Sequence, residues 1–167
     1  MAFEITSEQE MIRLMARDFA RKELEPMAAA WERQGIFPMD AVKKMGELGL
    51  LGMMVPPELG GSGAGAVAYS LALQEIAYAC ASSAVTMSVA NLSTEPLLKF
   101  GSPEQKEKWL VGLAEGSLLG AFALTEPGAG SDPGSMTTTA VLPKATHIIT
   151  GTKLLITHGQ SADVIKL

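Results

Sequence analysis

The sequence predicts an α+β chain, with an all-α helical bundle over residues 1–117 followed by an incomplete antiparallel β domain over residues 118–167. Three observations carry that reading. Apolar residues recur every three or four positions from Met11 to Leu113, several segments open or close on helix-capping residues, and beyond Ser117 the pattern changes to short β-branched runs divided by Pro, Gly and Asp.

The elements follow in order. Ser7-Glu8-Gln9-Glu10 reads as a capping box, and Met11, Ile12, Met15, Phe19 and Leu24 then fall on one helical face. Pro26 is expected to kink this helix and Gly35 to end it. Asp40 is the expected cap of a short helix carrying Val42, Met45 and Leu48, with Gly49 as its left-handed end. Residues 66–79 and 83–100 form two further helices, the second rich in small residues and perturbed by Pro96 in its last turn. Ser102-Pro103-Glu104-Gln105 combines a cap, a first-turn proline and a capping-box glutamine, so a helix runs from there to Gly116. Strands are expected at Leu118–Leu124, Thr137–Leu142, His147–Thr150, Lys153–Thr157 and Val164–Leu167. About 50 residues do not close a sandwich or barrel of ordinary size, so further residues or a partner chain are expected to complete the sheet.

Composition narrows the function. With 167 residues, 47% of them hydrophobic, the chain has material for one sizeable core. A net charge of −5 without a basic cluster gives no footprint for nucleic acid. No apolar run approaches the roughly 20 residues a membrane-spanning helix needs. The acidic N-terminus matches neither a secretory signal nor a transit peptide, which predicts a cytoplasmic protein, or a mitochondrial matrix protein in a eukaryote. The single cysteine, Cys80, reads as a small helix-buried hydrophobe in a reducing compartment. His147 and His158 lack the spacing of metal ligands. The glycine-rich PPELGGSGAG at 56–65 follows prolines instead of a strand and lacks a phosphate-binding lysine, so it reads as an interhelical connection.

One segment demands more. FALTEPGAGSD, residues 122–132, leaves a strand and enters a turn with one proline and two glycines. Such a turn either converges backbone N–H groups on an anion, with Thr125 and Ser131 adding hydroxyls, or simply joins two strands.

FALTEPGAGSDPGS with the following TTTA, QEMIRLMARDFARKELEP, KKMGELGLLGMMVPPELGGSG, FGSPEQKEKWL and GTKLLITHG stand in the order and spacing of the acyl-CoA dehydrogenase family, which the chain resembles almost end to end. The resemblance implies an FAD flavoprotein with helical, β and helical domains, of which this sequence supplies the first and the opening of the second. It places Phe122, Leu124, Thr125, Gly130 and Ser131 along FAD, with Ser131 also beside the CoA thioester's tail. Leu155, Ile156 and Thr157 cover the flavin, and Leu155 stands where relatives carry an aromatic ring. The implied activity is oxidation of an acyl-CoA thioester to the 2,3-enoyl-CoA in fatty acid metabolism, with electrons passed to an electron-transfer flavoprotein. A homotetramer is the implied assembly.

Thr125 and Thr157 are then candidates to steady negative charge growing on the flavin. The family's general base is a glutamate of the C-terminal helical domain, outside residues 1–167, so no catalytic base is expected in this chain. Glu126 reads as a turn residue, and Glu75 and Glu95 as helix surface. Alternatives of another kind are a non-catalytic partner or remnant of the same fold, or a flavin oxidase or monooxygenase on this scaffold.

Overall fold

The computed structural model describes residues 4–142 and 147–167. Helix α1, Ser7–Phe19, starts one residue earlier than its sequence signal implies: Thr6, not Ser7, is the N-cap, its hydroxyl accepting from the Gln9 amide while the Gln9 side chain caps Thr6. Both residue types cap well, and Gln9 sits three residues after Thr6, so the reciprocal pair forms there. The helix continues through a π-helical turn, Ala20–Leu24, into α2, Glu25–Gln34, with Pro26 in the first turn and Gly35 left-handed at φ 62°. The wider turn ahead of Pro26 absorbs the proline's missing donor.

Helix α3, Met39–Glu47, is capped by Pro38 without a side-chain bond, and Asp40 lies within its first turn instead of capping it. Helices α4, Gly65–Ala79, and α5, Ala81–Phe100, follow with only Cys80 between them. Helix α5 carries Pro96 inside it and runs on to Phe100, and Gly101 ends it in an extended conformation. The expected helix from Ser102 to Gly116 is divided: α6, Pro103–Gln105, a π-helical stretch Lys106–Leu110, and α7, Val111–Glu115, closed by left-handed Gly116. Its capping box forms as expected.

The main core joins Phe19, Leu24, Met45, Leu50, Met53, Ile76 and Met87. Val55, Leu110 and Ala114 form a smaller one. Asn91 is a polar tie inside the helical part. At 4% exposure it accepts from the Met53 amide at 2.9 Å and donates to the carbonyls of Leu50 at 2.8 Å and Met87 at 3.0 Å. It thereby satisfies the irregular 48–55 connection, which has no ladder of its own.

Strand β1, Gly120–Phe122, lies against this bundle. A side chain on Gly120 would collide with Ser93 and Leu113, so the strand enters only because that position has none. β2, Thr139–Val141, pairs antiparallel with β3, Ile148–Thr150. β4, Val164–Lys166, pairs with β1 in parallel, where the antiparallel expectation does not hold. The chain crosses over between β1 and β4, and the hydrogen bonds of Asp163 and Val164 amides to the Leu119 carbonyl set the register. The segment Lys153–Thr157 is not a strand; it crosses the end of β1 as irregular chain. Among the described residues no helix is long and apolar enough to cross a membrane.

Replacing Asn91 by Leu keeps the branched shape, in a larger side chain, but leaves the Met53 amide and Leu50 carbonyl buried without partners. N91L should therefore lower unfolding free energy by about 2 kcal/mol, read from the denaturant midpoint at unchanged slope.

Candidate functional site

The turn after β1 is organised by one carboxylate. The Glu126 amide donates to the Ala129 carbonyl at 3.0 Å and the Ala129 amide returns the bond at 3.1 Å, so residues 126–129 close a tight turn. The Glu126 side chain, 4% exposed, reaches the next segment. It accepts from the Thr137 amide at 2.6 Å, the Thr137 hydroxyl at 3.0 Å and the Thr138 amide at 3.1 Å. Lys153 completes the shell at 2.9 Å and also donates to the Leu124 carbonyl at 3.0 Å. Donors on Thr138, Thr137 and Lys153 hold the carboxyl far below the usual carboxylate range, and burial opposes them only in part. Four donors thus engage the carboxylate as a structural anion that ties the turn to residues 137–138 and to Lys153.

Lys153 brings GTKLLITHG, residues 151–159, against the turn after β1. The Leu154 amide donates to the Thr125 carbonyl at 2.9 Å, so residues 153–159 run beside the end of β1. Phe122, Thr125, Ile156 and Thr157 are half-buried there, whereas Leu124, Gly130 and Ser131 are exposed. Leu155 is 92% exposed and its backbone is left-handed at φ 55°. Two clefts open at this junction. One, of about 310 Å³, includes Phe122, Leu124 and Lys153; the other, of about 380 Å³, includes Leu155, Ile156, Gly159 and Ile165. A larger cavity of about 520 Å³ lies between α2 and the α4–α5 junction, but none of the eight expected cofactor residues lines it. Size alone would direct a ligand there; the polar groups that could orient one are at the β1 end.

Two glycines of the turn are not called for by the chain's own packing. A Cβ on Gly128 or Gly130 would meet nothing within 4 Å, and neither residue is left-handed. Neither internal packing nor backbone conformation requires glycine there, so both leave open surface at which a ligand can approach the main chain. Within the turn the Glu126 and Ala129 amides are spent on each other's carbonyls and are not available to an anion.

The other carboxylates raised by the sequence are engaged. Glu75 takes Arg17 at 2.6 Å and Arg13 at 3.4 Å, and these partners lower its pKa, the Arg17 bond first. Glu95 pairs with Lys99 at 2.9 Å. Among the described residues no group of His, Cys, Asp and Glu could hold a metal. Sequence reasoning missed two side chains: Lys153, which stands 27 residues from its carboxylate partner, and His158, whose ring reaches the Gly120 carbonyl at 2.6 Å.

Comparison with known proteins decides the family. Residues 6–117 match the acyl-CoA dehydrogenase N-terminal domain and residues 121–167 the middle domain of the same family. The chain belongs to the acyl-CoA dehydrogenase family. It is 48% identical over 161 residues to an acyl-CoA dehydrogenase of Bacillus subtilis, covering 96% of this chain and 42% of that protein. It is 50% identical over 161 residues to the mitochondrial short-chain specific acyl-CoA dehydrogenase of Mus musculus, again 96% of this chain but 39% of the relative. Among solved structures, one chain in that of the electron transferring flavoprotein of Acidaminococcus fermentans superposes with TM-score 0.93 at 40% identity, over 98% of this chain and 43% of the other. A glutaryl-CoA dehydrogenase from Mycobacterium smegmatis in complex with FADH2 superposes with TM-score 0.92 at 35% identity, over 96% and 42%. The chain thus spans about two fifths of the length of the curated relatives it matches.

The Glu126 cluster carries a pH signature. The folded-state pKa lies below the unfolded one, so its stabilisation is present above the ordinary carboxylate value and is lost as pH falls through the folded value. Denaturant midpoints measured from pH 6 downward should fall less steeply below about pH 4.5 in E126Q than in the wild type.

Proposed function

We propose that residues 118–167 open the flavin-binding domain, that residues 1–117 form the helical domain in front of it, and that the complete protein is an FAD-dependent acyl-CoA dehydrogenase. The observation that carries this reading is the junction of TEPGAGSD with KLLITHG across the Thr125 carbonyl, beside open surface at Gly128 and Gly130. The family membership and the flavin in a relative's structure support it.

FAD, when bound, supplies the two-electron acceptor. The chain's own residues supply its setting. Thr125 and Thr157, on segments joined by the Leu154–Thr125 backbone bond, would offer hydroxyl donors to the negative charge that the bound flavin takes up. Phe122, Leu124 and Ile156 provide apolar walls that exclude water, and Gly130 lets main chain approach. Ser131 offers a hydroxyl to the flavin and to the thioester's CoA portion. Leu155 excludes water when covered but has no ring to stack. The proton acceptor for the substrate comes from outside residues 1–167, consistent with the engaged state of Glu75, Glu95 and Glu126.

The substrate is an acyl-CoA thioester, and the short-chain relative directs the first assay to butyryl-CoA. The similarity to a chain in an electron transferring flavoprotein structure supports such a flavoprotein as electron acceptor. A homotetramer is the proposed assembly.

The test is spectroscopic. The complete protein should purify yellow, and butyryl-CoA added without air should bleach the flavin band; a colourless protein that takes up no FAD would end the proposal. G130A separates cofactor contact from folding. It should change stability by less than about 0.5 kcal/mol, because the new methyl meets no atom of the chain, yet weaken FAD binding about tenfold. Unchanged affinity in G130A would remove that turn from the site.

A further inference from the structure

His158 follows Thr157 directly and has an unusual backbone, left-handed at φ 45°. A non-glycine residue holds that conformation at a cost, so something must return the energy. Its ring does so by leaving its own turn. Nε2 lies 2.6 Å from the Gly120 carbonyl at the start of β1, and the ring packs edge-on against Phe37 with centroids 6.0 Å apart. One side chain therefore joins three segments distant in sequence: the turn after Thr157, the first residue of β1, and the connection between α2 and α3.

The chemistry of the contact fixes the ring's state. A carbonyl oxygen only accepts, so Nε2 must carry hydrogen. Nδ1 is then the bare nitrogen of the neutral ring, and it is buried with no hydrogen-bond partner among the described residues. Protonating it would bury an N–H without an acceptor and a charge without a counter-ion. The packed elements offer no counter-ion: Ile36, Phe37 and Pro38 on one side and Gly120, Ala121 and Phe122 on the other carry no ionisable group, and β4, paired with β1, brings the buried cation Lys166, which would not welcome a second positive charge. On its own segment the next residues are Gly159, Gln160 and Ser161. Asp163, beyond them, has its carboxylate engaged by the Leu119 amide at 2.8 Å. Burial accordingly pushes the His158 pKa below its ordinary value, with the Gly120 bond opposing.

We propose that His158, as the neutral Nε2–H tautomer, is a positioning residue that latches the 153–159 segment to β1 and so holds the Thr157 hydroxyl in register with Thr125, and that the latch loosens on acidification. Its effect on cofactor binding rests on the flavin reading above; the latch itself does not. The sign follows from burial. The folded state prefers the neutral ring, so the latch is at full strength above the unfolded histidine pKa and weakens as pH falls through the lower folded value.

The experiment needs no turnover. Nitrogen-resolved NMR of the wild-type chain should show hydrogen on Nε2 and none on Nδ1 near neutral pH. Amide exchange at Leu154, Gly159 and Ser161 should speed up about tenfold in H158N, which tolerates the left-handed backbone but is too short to reach Gly120, and stay within about twofold of wild type in H158Q, whose amide can reach. In the wild type the same amides, corrected for intrinsic exchange, should keep their protection down to the ordinary histidine value of about 6.5 and lose it as pH falls below that, and in H158Q they should not. FAD affinity should fall about tenfold in H158N and be retained in H158Q.

Hydrogen on Nδ1, or wild-type exchange in H158N, overturns the latch. Altered exchange with identical FAD affinity in all three proteins overturns its positioning role. Failure of the wild type to bind FAD while the tautomer and exchange results hold rejects the flavin reading and leaves the latch standing.

Discussion

The site depends on a buried anion holding two stretches of chain that have little else to bind them. β1 and β2 are three residues each, and residues 123–138 between them form almost no ladder. Hydrophobic burial does little for the second half of that stretch, since most of residues 131–142 are exposed. What remains is the Glu126 carboxylate, whose lone pairs are filled by the Thr137 and Thr138 amides and by Lys153. Such an ion pair is weak ground for overall stability, because desolvation consumes most of its attraction. Its value here is geometric. Lys153 also binds the Leu124 carbonyl, so the ammonium fixes where residues 153–157 cross the end of β1.

From that crossing the rest of the candidate site follows. With Lys153 placed, the Leu154 amide meets the Thr125 carbonyl, and the next three residues fall beside the end of β1. His158 closes the same segment at its far end on Gly120. Residues 154–157 are thus held by a side chain on either flank, Lys153 and His158, and by one backbone bond at Leu154. This explains how a segment without strand geometry keeps a defined path, and why Leu155 can stand 92% exposed in a left-handed conformation. The exposed Leu155, with Ile165 and Leu167 nearby at half exposure or more, forms apolar surface that a bound group or further chain would cover.

Much of this was legible in the sequence, and what was not has physical reasons. The helices and the turn after Phe122 could be read because capping and periodicity are local. The caps slipped by a residue or two, at Thr6 and Pro38, since neighbouring residues compete for the same role and only the folded chain decides between them. Lys153–Thr157 has the composition of a strand but makes its bonds through side chains and a single amide, so composition misleads there. The parallel pairing of β1 with β4 is set by Asp163 and Val164 reaching Leu119, 44 and 45 residues away, and no local pattern records it. The resemblance to a family marked Thr125 and Thr157 together, but the clamp that joins their segments joins residues 27 apart and is a fact of the fold.

The helical part does more than precede the site. Gly120 fits only because it presents no side chain to Ser93 and Leu113, so α5 and α7 dictate how closely β1 may approach. Ser93 in turn is fully buried, its hydroxyl turned back to the Ala90 carbonyl at 2.7 Å, which keeps it from competing for strand backbone. Phe37, from the connection between α2 and α3, meets His158 from the same side. Two contacts from the bundle, one on β1 and one on the turn after Thr157, therefore reference both halves of the candidate site to a common rigid body. Strands of three residues could not fix the path of residues 153–159 by their own ladders; packed against this bundle, they have no need to.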